Sequence, residues 1–199
     1  MKDSKIEILN LFEESSNIIR ESKILANQIQ EVVKIITTCL KNGKKILIFG
    51  NGGSAADAQH IAAELIGRYL LNRQSFSAIA LTTDTSVLTS LSNDFSYDVV
   101  FRRQCESLVS NGDVVIGIST SGNSKSVKKG IETANKKGAI TIGLLGNKGG
   151  TIKKSVHIPI IVNSSSTPRI QEVHRVIYHV ICEMVEKNLV KNERGNKNN

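Results

Sequence analysis

"DVVIGISTSGNSKSVKKGIETANKK", residues 113–137, carries the pattern that decides the fold. It begins with a short apolar run, DVVIGI at 113–118, that lacks polar alternation, as a strand buried on both faces does. It ends in a helix-compatible segment over 124–137. Between the two stand Ser119, Thr120, Ser121 and Ser124. Hydroxyls set between the end of a buried strand and the start of a helix suit a phosphate group, because the first helical turn leaves backbone N–H groups unpaired beside them.

The same unit recurs upstream. KILIFG at 45–50 reads as a strand, 54–66 as a helix, and GNGGSAADA at 50–58 joins them. Gly50, Gly52 and Gly53 permit a tight turn and close approach of a ligand to the backbone, with Asn51 in the same loop. Ser54 is placed to cap the helix and donate to an oxyanion. Further strands are expected at 77–82, 139–146 and 156–162, the last at a sheet edge because it contains Pro159. Helical segments fall at about 84–91 and 96–109. A long N-terminal helix spans 4–42, with Ile29, Val32, Val33, Ile36 and Leu40 at helical spacing. A final helix covers 167–190, with Ile170, Val173, Ile177, Val180, Ile181 and Met184 as its apolar stripe. The terminal KNERGNKNN, 191–199, has too little apolar surface to fold and reads as a disordered tail. Strands alternating with helices imply an α/β domain over residues 1–190, a parallel sheet of five strands covered on both faces. Such sheets bind ligands beyond the carboxyl ends of their strands.

Composition narrows the ligand. The chain has 199 residues, 40% of them hydrophobic, and a net charge of +8. The charge favours an anionic partner, yet the lysines are dispersed, Trp is absent and aromatics make up 4%. A phosphorylated small molecule therefore fits better than nucleic acid. Cys39, Cys105 and Cys182 are odd in number and far apart, as reduced thiols in a cytoplasmic protein are. No run reaches membrane-spanning length and the N-terminus lacks a signal-peptide core, so neither membrane nor export is expected.

GNGGSA also fits the dinucleotide pattern G-x-G-x-x-A. The acidic residue that would hold a ribose about 20 residues on is missing from RYLLNRQSFS, and Asp84 comes late. This reading stands second. For acid–base chemistry, His60 and Glu64 lie one turn apart on the first glycine loop's helix, about 40° apart in rotation. The last helix offers Gln171 and His179, about 80° apart, whereas His174 lies well away from His179 in rotation. Two helices bearing these groups could converge on a divalent metal or on a sugar.

Together, GNGGSAADAQHIAAEL, SNDFSYD, GISTSGNSKSV and RIQEVHRVIYH resemble the phosphoheptose isomerases, a branch of the sugar-isomerase (SIS) domain family, over about residues 45–187. The resemblance implies a three-layer α/β/α sandwich with strands in flavodoxin-like order. It implies a homotetramer with active sites at subunit interfaces. It also implies conversion of sedoheptulose 7-phosphate to D-glycero-D-manno-heptose 7-phosphate through a cis-enediol, the start of heptose supply for bacterial surface polysaccharide. By position, Asn51, Gly52, Gly53, Ser54, Asn93, Asp94, Ser119, Thr120, Ser121, Ser124 and Gln171 match substrate contacts. Glu64 matches the catalytic base, which also touches substrate, and His179 its partner acid. His60, Glu64, Gln171 and His179 match a set that can hold one zinc ion per subunit, as catalyst or as stabiliser. Pro168 stands where some relatives carry a polar residue. Some relatives keep the fold without catalysis, as sugar-phosphate binders or in replication initiation. They lack the histidine matching His179, so its presence here favours an enzyme.

Overall fold

The computed structural model describes residues 2–195. Five strands, β1 (Ile46–Gly50), β2 (Ala78–Ala80), β3 (Val114–Ser119), β4 (Ile140–Leu145) and β5 (Ile158–Ile161), form one sheet in the order β2-β1-β3-β4-β5. Every pairing is parallel. Side chains alternate across a strand, so the sheet's two faces sort cleanly. Ile46, Ile48, Val114, Ile116, Ile118, Ile142, Leu144, Ile158 and Ile160 face one core; Leu47, Phe49, Val115, Leu145 and Ile161 face the other. The first core is closed by α2 (Ala26–Lys41), α3 (Gly53–Ile66) and α7 (Thr167–Gly195), the second chiefly by α5 (Val100–Leu108) and α6 (Lys125–Lys136). α4 (Thr85–Asp94) follows β2. This is the expected three-layer sandwich, with Pro159 on an edge strand.

Several boundaries differ from expectation for local reasons. The long N-terminal helix is divided into α1 (Lys2–Glu21) and α2 by a 3-10 turn over Ser22–Leu25. Ser22 bonds back to the Ile18 carbonyl at 2.8 Å, a side-chain bond that competes with regular helix. β2 is shorter than 77–82 because the turn closed by Thr83, whose hydroxyl donates to the Ala80 carbonyl, ends it. α7 runs past Val190 to Gly195, into the segment read as a tail; residues 196–199 lie outside the described residues. Its apolar stripe splits. Ile170, Val173, Ile177 and Ile181 are buried against the sheet, while Val180 and Met184 are exposed. The three cysteines are free and buried; burial raises Cys39 to about 11 and both Cys105 and Cys182 to about 12, as for inert thiols. Among the described residues, no helix is long and apolar enough to cross a membrane.

Candidate active site

The order of the strands fixes where a ligand can sit. The chain leaves β1 for β2 on one side, then returns to the other side with β3. That reversal opens a crevice at the carboxyl ends of β1 and β3. Gly50 pairs with Ile118 there, so the glycine loop and the hydroxyl loop emerge side by side.

Asn51 ties the two loops together. Its side-chain amide donates to Ser124 Oγ at 2.8 Å and to Ser126 Oγ at 3.1 Å, and its oxygen accepts from the Tyr97 hydroxyl at 2.8 Å. Ser124 caps α6, its Oγ accepting from Val127 N–H. Ser119 and Ser121 face each other, Oγ to Oγ, at 3.5 Å, with Thr120 half-buried between them. Gly122 adopts φ +66°, and a Cβ there would lie 2.3 Å from the Gly149 carbonyl, so this loop is braced on backbone that admits no side chain. Asn93 and Asp94 end α4, exposed and bonded to each other at 3.0 Å. Tyr97, three residues on, is what brings their segment to the loops.

Two expectations change here. α3 is capped by Gly52, at φ +56°, and not by Ser54, whose side chain is 3% exposed and packed against Gly50. Asp84 caps α4, accepting from Val87 N–H at 3.0 Å, so its carboxylate is committed and the dinucleotide reading loses its late acidic candidate.

The second half of the site follows from how α3 meets α7. Asp57 reaches Arg175 and His60 reaches Tyr178, each pair 118 residues apart. The two helices therefore run parallel in constant register. Gln171 falls opposite Gly53, where an added Cβ would lie 2.3 Å from its Nε2. His179 falls opposite His60 and Glu64. His60 Nε2 is 2.9 Å from Glu64 Oε1 and 3.5 Å from His179 Nε2, and ligand atoms of all three residues lie within 4.8 Å of one another. Gln171 is therefore not brought into this group within one chain; it stands two helical turns away, beside the glycine loop. Burial, then the neighbouring His60, lowers the His179 pKa below the ordinary histidine value.

Two imidazoles and a carboxylate make a donor set suited to zinc, leaving room for a further ligand. Behind them lies a network that local spacing does not reveal. Asp57, 2% exposed, accepts from Arg175 at 3.2 Å and from the Tyr178 hydroxyl at 3.4 Å. Burial and the Asp57 charge push Tyr178 up to about 12, so it keeps its proton at neutral pH. At the far end of α3, Arg73 donates to the carbonyls of Glu64, Leu65 and Gly67, and Glu186 holds Arg73 at 2.8 Å. Burial disfavours the charge on Glu186, but bonds from the N–H groups of Leu70, Tyr69 and Leu71 and from Arg73 outweigh it and hold its pKa below the ordinary value.

This fold, with paired loops at the β1/β3 crevice, defines a SIS domain, and a family model for the SIS domain matches residues 11–146. The chain is 52% identical over 167 residues to the phosphoheptose isomerase of Geobacter metallireducens, covering 84% of this chain and 88% of that protein. It is 50% identical over 182 residues to the phosphoheptose isomerase of Aquifex aeolicus, covering 91% and 95%. The structure of phosphoheptose isomerase from Neisseria gonorrhoeae matches with a TM-score of 0.88 at 39% identity, covering 92% of this chain and 98% of that one. The chain belongs to the phosphoheptose isomerase family.

Proposed function

We propose that this protein interconverts sedoheptulose 7-phosphate and D-glycero-D-manno-heptose 7-phosphate, supplying heptose for surface polysaccharide. The observation that carries the reading is the meeting of Glu64 with His60 of α3 and His179 of α7, on a helix whose other end opens at the glycine loop beside the hydroxyl loop. Ser119, Thr120, Ser121 and Ser124 hold the phosphate, with Ser54 beside them. Asn51, Gly52, Gly53, Asn93, Asp94 and Gln171 orient the sugar. Glu64 takes the proton from one carbon and returns it to its neighbour on the same face of a cis-enediol. His179 moves protons between the two oxygens. Each group contributes about 10²–10⁴-fold. A zinc ion held by His60, Glu64 and His179 would polarise the carbonyl.

Glu64 lies about 16 Å along the α3 axis from Gly53, so a single chain keeps its anion loops and its acid–base group apart. A homotetramer, in which one copy's loops face another's carboxylate, resolves this. Apolar surface supports that assembly. Ile6, Ile8, Leu9, Leu11 and Phe12 of α1 are exposed, and a groove of about 630 Å³ between α2 and α7 is lined by Ile29, Val33, Val173, Ile177 and Val180.

Incubation with sedoheptulose 7-phosphate in D₂O, with and without chelator, tests the function. Deuterium at C1 and C2 is expected. Tight binding with no exchange at either carbon would identify a sugar-phosphate binding protein instead.

A further inference from the structure

Tyr178 has three polar neighbours and one hydroxyl proton. Arg175 Nε, 3.1 Å away, can only donate to it. Asp57 Oδ1, paired with the Arg175 guanidinium, is a carboxylate acceptor 3.4 Å away and takes the phenolic proton. The third neighbour is His60 Nδ1, at 3.2 Å. With its proton on Asp57 and one lone pair facing Arg175, the hydroxyl has only an acceptor site left. All three contacts are satisfied together only when His60 Nδ1 carries the hydrogen. A neutral imidazole then keeps its lone pair on Nε2, the nitrogen facing Glu64 and His179.

We propose that Tyr178, fixed by Asp57 and Arg175, is a positioning residue that locks His60 as its Nδ1–H tautomer and aims the Nε2 lone pair into the gap between Glu64 and His179. The proposal rests on reading that gap as a cation site. Tyr178 and Asp57 are buried, while Arg175 and His60 reach the surface on either side of them, so the phenol and the carboxylate form the protected centre of the network. The preset ring presents a lone pair before any ion arrives. The Glu64 oxygen lies 2.9 Å from Nε2, so in the metal-free chain the Tyr178 network competes with an Nε2–H bond to Glu64, and a metal ion between the two would turn them into a ligand pair.

The test compares the full-length chain with Tyr178→Phe, which keeps the ring and removes the hydroxyl. Long-range ¹H–¹⁵N correlation on the metal-free protein, at a pH where the ring is neutral, reads the His60 tautomer. Competition with a chromophoric chelator reads Zn²⁺ affinity. The wild type is expected as the Nδ1–H tautomer, the one free imidazole disfavours. Tyr178→Phe is expected to show a mixture and to bind Zn²⁺ about 10–100-fold more weakly. An Nε2–H tautomer in the wild type, or no change of tautomer or affinity in Tyr178→Phe, overturns the proposal. If Tyr178→Phe fails to fold, the wild-type tautomer alone decides. Should the wild type show the expected tautomer, lost in Tyr178→Phe, yet bind no Zn²⁺, the cation reading fails and the positioning role stands.

Discussion

The two ends of α3 are made from different chemistry. At its start, Gly52, Gly53, Asn51 and the facing serines offer backbone and neutral hydroxyls, with no titratable group among them. Toward its close, His60 and Glu64 meet His179, with Asp57 and Tyr178 behind them and Arg73 gripping the last carbonyls. Neutral donors bind an anion without changing charge state as pH varies. Acid–base groups must change charge, and they need a fixed frame to do it in one place. On the proposed function, one helix thus separates holding from reacting.

Glu64→Gln should test that separation most severely. It keeps the shape of the side chain and removes the base, so turnover should fall about 10²–10⁴-fold, read by deuterium incorporation at C1 and C2. Sugar-phosphate affinity should stay within a few-fold. A large rise in KM with kcat preserved would mean the reacting end also does the holding.

Glu186→Gln attacks the frame. It leaves the buried Arg73 guanidinium without its charged partner, and the carbonyls of Glu64, Leu65 and Gly67 lose their anchored donor. Breaking one side of such a buried pair costs about 3–5 kcal/mol, measurable by urea denaturation. kcat should fall more than KM rises, because the damage lies at the reacting end.

His174 offers a pH-resolved contrast with that clamp. It is 0% exposed, its Nε2 meets the Leu145 carbonyl at 3.2 Å, and burial lowers its pKa to about 4. The unfolded chain takes up this proton more readily than the folded one. Stability should therefore fall as pH drops from about 6.5 to about 4, by on the order of 3 kcal/mol in all, and level off below. Glu186, whose pKa is depressed, stabilises the fold above its ordinary value and loses that contribution only at lower pH. Denaturation midpoints against pH should show the upper slope flattened in His174→Gln and the lower one flattened in Glu186→Gln.

The two ends also differed in how far the sequence disclosed them. Each loop is local: an apolar run, glycines or hydroxyls, then a helix, all within about 25 residues, so strand ends and loop chemistry could be read directly. The reacting end depends on α3 and α7 running parallel at a separation of 118 residues. Periodicity puts His60 and Glu64 on one face and allows their helix to converge with that of His179, but only the family resemblance assigns the three to one site. Asp57, Arg175 and Tyr178 stay hidden in the sequence, since each looks like an ordinary helix residue until its partner is known. Tyr97 and Ser126 stay hidden because Asn51 recruits them from other elements. Gln171 joins the metal ligands only through the family resemblance; within one chain its side chain lies beside Gly53. Serine favours the cap position, so Ser54 reads as the cap, whereas the chain turns two residues earlier through the positive φ of Gly52.

The smallest effect belongs to the hydroxyls, and it can divide the holding end itself. Ser121 is exposed, and its Oγ accepts only from Asn123 N–H, at 3.1 Å, besides facing Ser119. Ser121→Ala should raise KM about tenfold, the worth of one hydrogen bond to a charged oxygen, with the melting temperature unchanged. Ser124 serves two masters: it caps α6 and it receives the Asn51 amide. Ser124→Ala should cost about 1 kcal/mol of stability as well as affinity, because Asn51 loses one of the two hydroxyls that fix it between the loops. If both variants lost affinity and stability in equal measure, the hydroxyl loop would be part of the scaffold throughout. If only Ser124→Ala lowers stability, then the loop divides as its hydrogen bonds do, with Ser124 braced by the fold and Ser121 left free for the phosphate.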